Sequence, residues 1–160
     1  MVKTDPSLTA RLAAFMEEYV RCLDDDQLEQ WPSFFTDDCK YKVTTRENLE
    51  ANYPFGLIYA DSNAMLQDRV KSLRTVNIYE EHRYRHFLGL PHVIAADATG
   101  VVDAQTSFLV VRIMLDGGTT VFATGRYQDK LQVAEARISI RERTVVCDSS
   151  RVDTLLAFPL

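Results

Sequence analysis

Histidine is scarce in this chain, and its three copies all fall within residues 82–92. Chemistry that needs imidazole, whether metal binding or proton transfer near neutral pH, must use Tyr79-Glu80-Glu81-His82-Arg83-Tyr84-Arg85-His86-Phe87-Leu88-Gly89-Leu90-Pro91-His92. Cysteine is as sparse. Cys22, Cys39 and Cys147 are isolated, odd in number and without a C-x-x-C spacing, which excludes a disulfide framework and a structural zinc site. An iron–sulfur cluster would need four organised ligands, so three buried, reduced thiols are expected. The six glycines form no G-x-G-x-x-G or phosphate loop. There is no G-x-S-x-G elbow, and Ser149-Ser150 stand beside Asp148 and Arg151, far in sequence from any histidine. No apolar run reaches the ~20 residues of a membrane span, and Met1-Val2-Lys3-Thr4-Asp5-Pro6 carries no signal-peptide hydrophobic region. Basic surplus is absent too: a net charge of -5 leaves nothing to neutralise phosphates, which argues against a nucleic-acid partner. A cytoplasmic location is expected.

What is present is the composition of one globular domain spanning residues 1–160, with 46% hydrophobic and 26% charged residues. Leu8, Leu12, Phe15, Met16, Tyr19, Val20 and Leu23 recur at helical spacing, and Asp5-Pro6 supplies an N-cap followed by proline at the first helical position. Asp24-Asp25-Asp26 ends that helix. Asp26 with Glu29 has the spacing of a capping box for a second, short helix that carries Leu28 and Trp31 to about Phe35. Asp37-Asp38 is then expected to cap and turn at the helix end. Residues 41–46 alternate as a strand, residues 47–60 read as a loop or ragged strand, and Asp61-Ser62 caps a third helix to about Leu73. Long strands are predicted at residues 101–115, 119–132 and 137–146, with a hairpin turn at Asp116-Gly117-Gly118 and a bulge or bend at Gly125. Strands this long must twist and curl. The fold class is α+β, a strongly bent antiparallel or mixed sheet with helices against its concave face.

On a strand, His82, Tyr84 and His86 share one face while Arg83, Arg85 and Phe87 share the other; on a helix, His82 and His86 are neighbours. Neither arrangement completes a metal site, which takes at least three protein ligands, and the two arginines disfavour a cation. Hydrogen-bonded structural histidines fit better. An α+β cone can also hold an apolar pocket for acid–base chemistry, and Asp37, Asp38, Tyr41, Tyr84 and His86 are the residues that could populate one. The chain closes on Asp153-Thr154-Leu155-Leu156-Ala157-Phe158-Pro159-Leu160, an apolar segment expected to dock on its own core or on another subunit.

The series Asp26-x-x-x-x-Trp31-Pro32-x-Phe34-Phe35-x-x-Asp38-x-x-Tyr41-x-Val43 resembles the start of the small, or beta, subunits of aromatic-ring-hydroxylating dioxygenases. His82-Arg83-Tyr84-Arg85-His86 and Arg143-x-x-x-Cys147-Asp148-Ser149-x-x-x-Asp153-Thr154-Leu155-Leu156-x-x-Pro159-Leu160 are similar to the same family, so the likeness covers essentially the whole chain. Within the family, Gln30-Trp31-Pro32, Arg83-Tyr84-Arg85-His86-x-Leu88-Gly89-Leu90-Pro91 and Val146-Cys147-Asp148-Ser149 look most like the terephthalate 1,2-dioxygenase group, with salicylate- or anthranilate-type members close behind. The resemblance implies an NTF2-like cone and a non-catalytic role in an α3β3 complex. It implies that the Rieske [2Fe–2S] cluster and mononuclear Fe(II) belong to the alpha subunit and that electrons come from an NAD(P)H-dependent reductase. This chain would carry no catalytic, cofactor or metal residue of its own, and Trp31, Arg83, Arg85, Phe158 and Leu160 would be structural or at subunit contacts. The alternative is a stand-alone NTF2-like isomerase or dehydratase using Asp38, Tyr41 and His86.

Overall fold

The computed structural model describes residues 5–75, 80–151, 156 and 158–160. Helix α1, Pro6–Asp24, starts as the sequence predicts: the Asp5 carboxylate accepts from the Ser7 amide at 2.9 Å, and Pro6 occupies the first turn, where no amide is needed. Its end differs from expectation. Asp26 adopts a left-handed conformation (φ 56°), the Gln27 amide donates to the Cys22 carbonyl, and the Asp26 amide donates to that of Leu23. These two bonds are the Schellman closure of α1, so Asp26 does not cap a second helix. The next element is a 3-10 helix, Leu28–Phe34, without a side-chain cap. Asp26 and Glu29 instead both pair with Arg74.

Strand β1, Phe35–Thr45, begins at once, so Asp37 and Asp38 lie on a strand and not at a helix end. The segment expected to be ragged holds a short helix α2, Arg46–Glu50, and strand β2, Ile58–Ala60. Thr45 Oγ1 accepts from the Asn48 amide and starts α2. Helix α3 is Asn63–Thr75. Then come β3, His82–Leu88; β4, His92–Ala96, which the sequence did not suggest; β5, Val101–Met114; β6, Thr119–Val133; and β7, Ile138–Cys147.

The strands form one sheet in the order β2-β1-β7-β6-β5-β3, with β4 also on β5. All pairings are antiparallel except β1 with β7. Register slips at Val110/Val111 and at Lys130/Leu131 set two residues against one, which bends the long strands and raises their twist. Gly125 sits in regular register, opposite Phe108 and Cys147. What requires glycine there is close approach: a Cβ would meet the Val146 carbonyl and Phe108 Cζ. Gly117 makes the hairpin turn at φ 89°. Alternate residues of β5, from Val102 to Val110, point into the core with period two. Against this concave face pack Leu12, Met16, Tyr19 and Leu23 of α1, Leu28 and Trp31 of the 3-10 helix, and Leu66, Val70 and Leu73 of α3. The α+β cone expected from the sequence is present, with one parallel pairing. Among the described residues, no helix is long and apolar enough to cross a membrane.

Candidate functional site: a filled cone and an open groove

Three groups of side chains bear chemistry. The first is in the cone. Trp31 is fully buried, and its indole N–H donates to Tyr19 Oη at 3.0 Å. Tyr19 Oη and Tyr41 Oη both donate to the Leu160 carbonyl oxygen, at 3.0 and 2.9 Å, while the Leu160 amide donates to Tyr41 Oη at 3.0 Å. Burial raises the pKa of both phenols, so they stay protonated. Phe158, Pro159 and Leu160 are buried, with Phe158 edge-on to the rings of His82 and Tyr84. The apolar tail is therefore docked on its own fold at these residues; Leu155 and Ala157 lie outside the described residues.

Beside it lies an ion pair. Arg143 of β7 donates from Nε and Nη2 to the two carboxylate oxygens of Asp129 on β6, each at 2.7 Å, and both side chains are fully buried. The guanidinium is held between the rings of Tyr19 and Tyr127, 4.2 and 4.4 Å from their centroids. Burial works against its charge, but the Asp129 carboxylate outweighs that and raises the pKa. Sequence reasoning missed this pair. A signal existed, since Asp129 and Arg143 fall on the inward phase of their strands, beside Tyr127 and Leu131 and beside Val145 and Cys147.

The third group is on β3. The alternation expected of a strand is observed: Tyr84 and His86 are buried, and Arg83, Arg85 and Phe87 are exposed. His86 Nδ1 lies 2.6 Å from Asp24 Oδ1, and its amide donates to Asp24 Oδ2 at 2.9 Å, tying β3 to the end of α1. Next to this link an open groove of about 730 Å³ runs between residues 23–26 and residues 81–85. Neither Asp38, Tyr41 nor His86 lines it. The structure does not bring those three together: Asp38 is exposed on β1, Tyr41 is in the cone, and His86 is on Asp24. Of the contact candidates, Trp31, Phe158 and Leu160 are packed inside this chain, and Arg83 and Arg85 face outward.

The donors present do not suit an iron–sulfur cluster or a mononuclear iron. Burial pushes the thiols of Cys22, Cys39 and Cys147 up to about 11, far from the thiolate a cluster requires. Among the described residues, no three His, Cys, Asp or Glu side chains are grouped to hold a metal.

Residues 18–154 match the family described as ring hydroxylating beta subunit. The chain belongs to that family. As a beta subunit of ring-hydroxylating dioxygenases, it is a component of an oxidoreductase. It is 49% identical over 150 residues to "Terephthalate 1,2-dioxygenase, terminal oxygenase component subunit beta 1" of Comamonas sp, covering 94% of this chain and 97% of that one. It is 40% identical to the anthranilate 1,2-dioxygenase small subunit of Burkholderia cepacia, covering 89% and 88%. In structure it is similar to the beta subunit of a protein assigned as an aromatic-ring-hydroxylating dioxygenase from Novosphingobium aromaticivorans. That likeness has a TM-score of 0.88 and 36% identity over 96% of this chain and 97% of the other. The beta subunit's cone is thus the NTF2-like fold that the sequence implied.

Proposed function

We propose that this chain is the non-catalytic structural subunit of a Rieske oxygenase that cis-dihydroxylates an aromatic carboxylate, with terephthalate the leading substrate. It would join a large alpha subunit in an α3β3 complex. The alpha subunit would carry the [2Fe–2S] cluster and Fe(II), and an NAD(P)H-dependent reductase would supply electrons. The observation that carries this reading is the filled cone. Where an NTF2-like enzyme needs space for substrate, this chain holds Leu160 between Tyr19 and Tyr41 and seals Arg143 against Asp129. The sequence likeness to the terephthalate and anthranilate dioxygenase subunits supports the substrate class. Arg83 and Arg85, exposed on the last strand of the sheet, are the contact candidates best placed to meet another subunit.

Native mass spectrometry, on the chain alone and after co-expression with a Rieske large subunit, tests the proposal. The expected result is a metal-free chain that enters a 3:3 complex whose terephthalate turnover depends on the large subunit's metals. A lone chain that ignores the large subunit and itself transforms an aromatic acid would overturn it.

A further inference from the structure

Two phenol hydroxyls converging on one oxygen is an unusual way to hold a main-chain carbonyl. Tyr19 Oη already accepts the Trp31 indole N–H, which can only donate, so its own proton is directed at Leu160. Tyr41 Oη accepts the Leu160 amide and returns its proton to the same residue's carbonyl. Both tyrosines are fully buried, and the walls around them are the rings of Phe34, Phe35 and Trp31. Paired, preorganised donors aimed at one oxygen inside a dry apolar cage recognise a carbonyl group, and strengthen as negative charge develops on it. The occupant here is held by side-chain hydroxyls, whereas a sheet strand is held by a backbone ladder. Its approach runs past Phe158, which lines the open groove.

We propose that the cone is a binding site for a small aromatic molecule bearing a carbonyl oxygen, with Tyr19 and Tyr41 as the two donors. The segment from Phe158 to Leu160 is then an internal stand-in that such a ligand displaces. The site belongs to the chain itself and is independent of the assembly it joins.

Trp31 is the single tryptophan and is bonded to one of the two donors, so its fluorescence reports on the site. The full chain carrying Phe158→Ala and Leu160→Ala, which loosens the stand-in, is titrated with acetophenone and with ethylbenzene, which has no carbonyl. Acetophenone should saturate the Trp31 signal at about tenfold lower concentration than on the unaltered chain. Adding Tyr41→Phe should raise that concentration about tenfold, the effect of one buried hydrogen bond. Equal response to the two probes, or no effect of Tyr41→Phe, would overturn the proposal. If the double variant loses cooperative unfolding, the same titration is made on Leu160→Ala alone. Failure of that folded chain to prefer acetophenone identifies Leu160 as plain core and overturns the site.

Discussion

Arg143 brings a full charge to a place where water does not reach, and Asp129 makes that tolerable. Removing one partner strands the other. Arg143→Met is expected to cost about 3–5 kcal/mol in urea unfolding, whereas Arg143→Met with Asp129→Leu should recover most of the loss, because buried pairs replaced whole by apolar groups are often near neutral. If the double replacement is as damaging as the single one, the rings of Tyr19 and Tyr127 rely on the charge itself. The cysteines give a pH dependence of definite sign. Burial raises Cys22, Cys39 and Cys147 from the ordinary 9.0 to about 11, so folding favours the neutral thiol. That contribution is complete below about pH 9 and is lost as pH rises through 11. Stability measured by denaturant across this window should therefore fall, and fall less steeply in a Cys147→Ala chain.

Between elements, the tightest joints are side chains that act as main-chain partners. Asp24 takes both the amide and the ring N–H side of His86 and so fastens β3 to α1. Asp24→Ala leaves buried donors unmet and should lower stability by about 2–3 kcal/mol, with hydrogen exchange rising first in β3. Gly125→Ala forces a methyl group onto the Val146 carbonyl across the β6–β7 ladder, an overpacking worth about 1–3 kcal/mol. Joints like these explain what the sequence does and does not reveal. The helical stripe of α1, the Asp5-Pro6 start, the turn at Gly117 and the two faces of β3 are local patterns, and each was legible. The Asp24–His86 link and the β1–β7 pairing join residues remote in sequence, which no local period encodes. The capping-box reading of Asp26 failed because closure of α1 claims that residue first. β2 and β4 are three and five residues long, too short for alternation to show.

For the molecule as a whole, β1 and β7 decide the order of events. Thr45 pairs with Cys147 and Phe35 with Ile140, so the strand made first waits for the strand made last. The paired strands β5 and β6 can form early, because their partners are close along the chain. The sheet cannot curl shut until β7 lies between β6 and β1. Pairings between such distant residues are slow to form, and refolding from urea should take milliseconds to seconds as in other sheet-dominated domains. During that interval the apolar inner faces of β5 and β6 meet water or one another on neighbouring ribosomes, the state in which chains aggregate. A cell producing this protein therefore has a supply problem before it has an assembly problem: soluble yield should rise when synthesis is slowed by cold or when chaperones are in excess.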